Sequence, residues 1–182
     1  MITGRTKHFH LVAAALAFGL CLSGAQAWAA DTPDAWITMK AKIALMTTDN
    51  VSAADLNVDT VNGVVTLHGK VATEGEKNKA EHVTAKVEGV KSVKNLLQIV
   101  PNAKREVVDR ADGDVKDAVQ AAFRANARLK DSGISVASVN KGVVLLAGRT
   151  KSLESHLEAV QVAYAVKGVR RVSSEVQVDA AT

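Results

Sequence analysis

The chain contains an internal repeat, and this repeat limits the fold to a small domain that occurs twice. Residues 63–70 (GVVTLHGK) return as residues 142–149 (GVVLLAGR), and residues 86–93 (KVEGVKSV) return as residues 165–172 (AVKGVRRV). From Gly63 onward the two copies align without a gap, and the shared positions are glycines and aliphatic residues of the kind that form a core. A repeat of this length indicates one supersecondary unit present twice, so function has to be sought in what the pair does together.

Each copy predicts the element order helix, strand, strand, helix, strand. The first helix has an apolar face at helical spacing, formed by Ile37, Ala41, Ala44 and Leu45 in one copy and by Val115, Val119, Ala122 and Phe123 in the other. In the second copy this helix is expected to begin at Gly113-Asp114. The Asn62-Gly63 pair predicts a tight hairpin turn, and a looser turn is expected at Asn140-Lys141-Gly142.

Four glycines are predicted to have structural roles. Gly69 and Gly148 close the second strand of each copy, whereas Gly89 and Gly168 end the second helix, where a left-handed backbone is needed and glycine adopts it at least cost. The predicted fold class is therefore α+β, with two tandem small domains. In each domain two helices pack on one face of a three-stranded sheet.

The first thirty residues are predicted to be a secretory signal peptide. Arg5 and Lys7 precede an uncharged, Ala/Leu-rich run over residues 11–24, and small-residue cleavage sites follow, so cleavage is expected near residues 27–30. The apolar run is too short for a transmembrane span, and no other stretch approaches that length. An uncleaved N-terminal anchor is the alternative.

The predicted leader indicates an exported protein and sets the start of the first domain. We expect a first domain over 31–101, a linker over 102–113 and a second domain over 114–179. Cys21 is the only cysteine and lies in the leader, so the mature chain has to rely on packing and not on disulfides. The formal charge falls from +4 to about +2, since 21 basic and 19 acidic residues remain, and this balance does not support nucleic-acid binding.

No catalytic, metal or cofactor site is predicted. The mature histidines His68, His82 and His156 occupy positions that the two copies do not share, and no two of them have metal-ligand spacing on a helix. They are expected to face solvent. Ser155 and His156 lie on the same helix as Glu158 and do not make a triad. We therefore predict a protein that is not an enzyme.

The first helix of the first copy carries a second apolar stripe outside its core face. This stripe consists of Trp36, Met39, Ile43 and Met46. The aligned residues of the second copy are Asp114, Asp117, Ala121 and Arg124, so the duplicated fold does not require an apolar stripe here. Either the second domain or the linker covers it, or it contacts a membrane surface, a client protein or an oligomer partner.

Two motifs occur in each copy. In the first copy they are Val64-Val65-x-Leu67-x-Gly69 and Gly89-Val90-x-x-Val93, and their counterparts begin after residues 142 and 167. With these motifs the chain resembles the BON-domain family over nearly its whole mature length. The resemblance implies a periplasmic, non-catalytic protein concerned with envelope stress or phospholipid surfaces. Related dual-domain lipoproteins bind anionic phospholipid through the first helix of the second domain. Here that helix region carries a candidate anionic-lipid face of Lys116, Arg124, Arg128 and Lys130, and a plain solvated face is the alternative.

The functional hypothesis is an envelope or osmotic-stress protein that binds phospholipid surfaces or envelope protein clients. Two alternatives stay open at this point. The first is a purely structural, stress-protective protein in which the apolar stripe packs the domains together. The second is a binder of a small ligand or ion at an interdomain cleft.

Overall fold

The structure, a computed structural model, describes residues 32–179, and the predicted leader lies outside the described residues. The first domain consists of α1 (Asp34–Met46), β1 (Leu56–Val61), β2 (Val64–Val71), α2 (Glu74–Ala85), β3 (Ser92–Asn95) and β4 (Gln98–Ile99). The second domain repeats this order with α3 (Arg105–Ala125), β5 (Ile134–Asn140), β6 (Val143–Thr150), α4 (Leu153–Ala165), β7 (Arg171–Ser174) and β8 (Gln177–Val178). Short 3-10 turns occupy Ala53–Asp55 and Asn102–Lys104.

Each domain is built around a central strand, which is β2 in the first and β6 in the second. The preceding strand pairs with it antiparallel, and the last strand pairs with it parallel in two short pieces. In the first domain the interruption falls at Leu96 and Leu97, which are both buried. The α+β fold class with two helices on one face of each sheet is confirmed.

Each domain has its own hydrophobic core between its helices and its sheet. Ile37, Ala41 and Leu45 of α1 are buried against the sheet, as are Val119 and Phe123 of α3. These are positions where the periodic pattern predicted a core face. Burial of such aliphatic faces is the main favourable term holding each helix on its sheet.

Helix α3 begins at Arg105 and not at Gly113-Asp114, so most of the predicted linker over 102–113 is helical. Gly113 lies inside the helix, and a side chain there would meet open space, so no turn depends on this glycine. Contacts with the first domain stabilise the additional turns. Arg105 forms an ion pair with Asp55, and Asp109 pairs with a lysine of β2.

The hairpin turns of the two domains are equally tight, which corrects the expected loosening in the second. Asn62-Gly63 has φ values of 54° and 80°, and Lys141-Gly142 has 50° and 74°. Strand pairing closes directly around each two-residue turn. Positive φ at both central residues is the geometry of a type I′ turn, in which glycine and asparagine are usual and lysine is not.

An aspartate of the preceding helix binds both hairpin turns in the same way. The carboxylate of Asp34 accepts hydrogen bonds from the backbone N–H groups of Asn62 and Gly63 at 2.7 and 2.8 Å. The carboxylate of Asp112 accepts the equivalent bonds from Lys141 and Gly142 at 2.8 and 2.9 Å. Charge-assisted bonds of this kind are stronger than neutral ones, and they explain how Lys141 is held in a left-handed conformation.

Gly69 and Gly148 lie inside the central strands, two residues before the ends and not at them as expected, and a close backbone contact requires glycine at both positions. Gly69 and Gly148 have φ values of 127° and 125°. A Cβ atom at Gly69 would lie 2.0 Å from the carbonyl oxygen of Asp55, and one at Gly148 would lie 2.1 Å from that of Gly133. No side chain fits at either position. Gly89 and Gly168 follow α2 and α4 with φ values of 91° and 96°.

Candidate functional site

The apolar stripe on α1 is exposed to solvent. The exposed fractions are 49% for Trp36, 43% for Met39, 54% for Ile43 and 72% for Met46. The interpretation that the second domain or the segment 102–113 covers this stripe is therefore wrong. An apolar surface that is continuous along a helix and uncovered marks an interaction site more often than an isolated exposed residue does.

Lysines border the stripe. The ammonium group of Lys40 lies 5.6 Å from the centre of the Trp36 ring and 2.8 Å from Oε2 of Glu88. The hydrogen bond from Lys40 lowers the pKa of Glu88. Lys42 is exposed on the same helix. The surface of α1 thus combines bulky apolar side chains with the positive charge of Lys42, while Glu88 neutralises Lys40.

The candidate anionic-lipid face is only partly available. Arg124, Arg128 and Lys130 are exposed and Lys116 is half-buried. The guanidinium of Arg128 lies 3.4 Å from a carboxylate oxygen of Glu154 and 3.7 Å from one of Glu158 on α4. Within residues 32–179 no ion pair involves the other three basic side chains. The positive potential of this face rests mainly on those three.

Helix α4 carries an exposed apolar stripe that was not predicted. Leu153, Leu157 and Tyr164 are 60%, 57% and 63% exposed, and Val160 lies between them half-buried. The aligned positions in the first copy hold Glu74, Asn78, Glu81 and Ala85. The same comparison of copies that singled out α1 would have found this stripe, had it been extended to the second helix.

A buried ion-pair cluster joins the two domains. Nζ of Lys70 on β2 lies 2.6 Å from Oδ1 of Asp109 and 2.8 Å from Oδ2 of Asp112, both on α3. Burial lowers the pKa of Lys70, but its hydrogen bonds to both carboxylates outweigh this effect and raise it. Lys141 adds a hydrogen bond from its ammonium to the carbonyl oxygen of Ile99 at 3.2 Å. The two domains belong to one compact unit.

His68 is buried on β2, contrary to the expectation that all three histidines face solvent. Its side chain points to the side of the sheet opposite the core, as Lys70 does, and the domain interface excludes water there. Nε2 lies 2.8 Å from Oδ2 of Asp59, and Nδ1 is buried with no hydrogen-bond partner among the described residues. The hydrogen bond from His68 lowers the pKa of Asp59. His82 is exposed, and Nε2 of His156 lies 2.8 Å from Oγ of Ser174.

Residues 32–179 contain neither a cluster of metal-ligating side chains nor a membrane-spanning helix. No group of three or more histidine, cysteine, aspartate or glutamate side chains is placed to hold a metal ion in this part of the chain. No helix among these residues has the length and apolar character needed to cross a membrane.

The two domains and their shared glycine geometry agree with a comparison against protein families. The family model of the BON domain matches residues 33–101 and, separately, residues 111–180. The chain belongs to the BON-domain family. The BON-domain protein is also 34% identical over 146 residues to Osmotically-inducible protein Y of Escherichia coli (strain K12), a match that covers 79% of this chain and 72% of the relative.

Solved structures give weaker matches. The C-terminal domain of CdsD, a structural protein of the type III secretion system of Chlamydia trachomatis, superposes with a TM-score of 0.32 at 16% identity, covering 82% of this chain and 68% of that one. A second CdsD structure gives a TM-score of 0.30 at 18% identity, covering 77% and 59%. Similarity at this level does not bear on the function of the BON-domain protein.

Proposed function

We propose that this BON-domain protein is an exported, non-catalytic envelope protein of the osmotic-stress response that binds anionic phospholipid surfaces through α1. The exposed apolar stripe of Trp36, Met39, Ile43 and Met46 carries the proposal. The predicted signal peptide and the similarity to Osmotically-inducible protein Y support the location and the stress role.

The chemistry of α1 suits a membrane interface. A helix with bulky apolar side chains on one face and basic side chains beside them lies in the plane of the interface, with the apolar face in the headgroup region. Tryptophan is enriched at that depth. Lys42 borders the stripe and forms no ion pair among the described residues, whereas Glu88 neutralises Lys40. A basic residue close to an anionic surface contributes about 1 kcal/mol.

The second domain offers a weaker contact with the same surface. Lys116, Arg124 and Lys130 supply positive charge, while Arg128 is paired with Glu154 and Glu158. Two weak sites in one compact unit bind a surface more strongly than either alone, because the second contact forms at high effective concentration. We therefore expect reversible attachment that weakens as salt is added.

Vesicle flotation of the mature chain tests the proposal. The vesicles contain phosphatidylglycerol with phosphatidylethanolamine, or phosphatidylcholine alone, at low and at near-physiological salt. We expect flotation with the anionic vesicles only, reduced by salt. The double variant Trp36→Ala with Met39→Ala should lose it, and Arg124→Glu with Lys130→Glu should weaken it.

The matched control is Leu153→Ala with Leu157→Ala, which removes two exposed apolar side chains of similar size from α4. This control should float like the wild type. Absence of flotation under all conditions would overturn the proposal, and so would equal flotation of the α1 and α4 variants, because binding would then not depend on the α1 stripe.

A further inference from the structure

We infer a second binding site, independent of the lipid surface: an open cleft between the two domains that takes an extended polypeptide segment. The cleft has two adjoining parts of about 580 and 450 Å³, which share Val61, Arg149, Glu175 and Gln177. One wall is the face of the first domain's sheet that lies opposite its core, and the other is the β7–β8 region of the second domain with Arg149 of β6. The volumes lie in the range of ligand sites in proteins.

The interface between the two domains has two halves that correspond through the internal repeat. Ion pairs close one half, and the cleft is the other half. In the closed half, Lys70 of the first domain contacts Asp109 and Asp112 on the first helix of the second. The aligned residue in the second domain is Arg149, which lies in the cleft with Ala35 of the opposite domain's first helix.

Arg149 does not make the equivalent contact across the cleft. Its guanidinium lies 2.6 Å from Oδ1 of Asp179 in its own domain, at a position where the first copy has the buried Val100. The side chain of Lys70 is 9% exposed, whereas that of Arg149 is 68% exposed. The duplication therefore built two equivalent contact surfaces, and only one of them is occupied.

A strand edge of the second domain lines the cleft, and a sheet face of the first domain lies opposite it. Residues 174–179 of the second domain, which include β8, contribute as a consecutive run. In the first domain Val64 and Thr66 contribute as alternate residues of β2, which is the pattern of a sheet face because side chains alternate along a strand. Among the described strands β1 pairs with β2 alone, and β7 and β8 pair with β6 alone.

The free edge of β8 can accept another strand. The backbone N–H groups of Glu175 and Asp179 donate to the carbonyl oxygens of Leu146 and Thr150 on β6. Because alternate N–H groups along a strand point to opposite sides, the N–H of Val178 points away from β6 and towards the open edge. Main-chain hydrogen bonds to such an edge are the basis of peptide recognition by strand addition.

The charge of the cleft selects the class of occupant. Lys94 and Arg149 face three carboxylates, those of Asp59, Glu175 and Asp179. This balance disfavours a phosphate, a lipid headgroup or an acidic peptide. Val61, Val64 and Val178 offer apolar contacts to the side chains of a strand. The occupant is therefore an extended polypeptide segment rich in β-branched residues, with neutral or basic charge.

Fluorescence anisotropy with the mature chain tests this site. The probe is a fluorescein-labelled peptide of alternating valine and threonine with one lysine at each end. Val178→Pro removes the N–H that points to the open edge and leaves the bonds to β6 intact, and proline is tolerated on edge strands. We expect this variant to bind the probe about tenfold more weakly, the effect of losing roughly one hydrogen bond.

Val178→Ala is the matched control, since it shortens the side chain and keeps the N–H, and it should bind the probe within about threefold of the wild type. Ala35→Trp is a second variant that fills the cleft from α1, with Ala118→Trp on the exposed face of α3 as its control. Ala35→Trp should abolish probe binding whether or not Val178→Pro folds.

The Trp36→Ala with Met39→Ala variant should bind the peptide normally, which separates this site from the lipid surface. Failure of the wild type to bind the probe would overturn the inference. Equal affinity of the wild type, Val178→Pro and Ala35→Trp would overturn it as well, because the probe would then bind elsewhere on the protein.

Discussion

Nζ of Lys70 lies 2.8 Å from Oδ2 of Asp112, and this pair joins the two BON domains through side chains that are both more than nine-tenths buried. The same carboxylate accepts the two N–H groups of the Lys141-Gly142 turn. Asp112 therefore connects the central strand of the first domain, the first helix of the second and the second domain's hairpin. Docking of the domains and closure of the hairpin are coupled through one residue.

Lys70→Met is expected to lower the free energy of unfolding by about 3 kcal/mol, because removal of one partner leaves buried negative charge without its cation. Urea denaturation at neutral pH measures this value. Arg149→Met is the matched control, since Arg149 is the aligned residue and its pair with Asp179 is exposed. We expect no measurable change for the control, and an equal loss in both variants would contradict a special role for the buried pair.

Asp34→Ala is expected to destabilise the first domain by about 2 kcal/mol, because two charge-assisted hydrogen bonds to the Asn62-Gly63 turn are lost. Asp112→Ala should cost more, about 3–5 kcal/mol, since Lys70 also loses a buried partner. Thermal and urea unfolding of the two variants gives the comparison. If Asp112→Ala cost no more than Asp34→Ala, the interdomain contact would contribute nothing to stability.

Gly148→Ala is expected to lower the free energy of unfolding by about 3 kcal/mol or more, because the Cβ atom collides with the carbonyl oxygen of Gly133 and φ is 125°. Gly113→Ala is the control. Gly113 lies in the interior of α3 with open space around it, so alanine should stabilise the helix by about 0.5–1 kcal/mol. Chemical denaturation measures both changes in the free energy of unfolding. Opposite signs for the two variants would support the steric role of Gly148 and the unconstrained position of Gly113.

Stability is expected to fall below about pH 4 through Asp59. The pKa of Asp59 in the folded state lies below its ordinary value of 3.8, because His68 hydrogen bonds to the carboxylate. A lowered folded pKa contributes stability above the unfolded pKa, and this contribution is lost as the pH falls through the folded value.

Urea denaturation of the wild type and Asp59→Asn between about pH 3 and pH 6 checks this expectation. The difference between them should shrink as the pH falls below 4. The control Asp114→Asn changes an exposed aspartate on α3 and should show no such dependence. A difference that stayed constant over this range would rule out a contribution from Asp59.

The candidate interaction site was only partly predictable from sequence. Comparison of the two copies showed that Trp36 and Met39 are apolar at positions where the fold does not require apolar residues. The pattern could not say whether the second domain covers them. The buried state of His68 was missed because its position is polar in a strand of alternating pattern. Such a position faces solvent in a lone domain and is buried here because a second domain docks on that side.

The sequence by itself determined the duplicated α+β domain, the core faces of α1 and α3, and the special glycines, because periodicity and backbone conformation are local properties. The tertiary structure alone decided that α3 extends back to Arg105 and that Lys70 is buried between Asp109 and Asp112. It also decided that the equivalent surface at Arg149 stays open. Local patterns are nearly identical in the two copies, so the difference between a closed and an open half-interface arises only from how one copy meets the other.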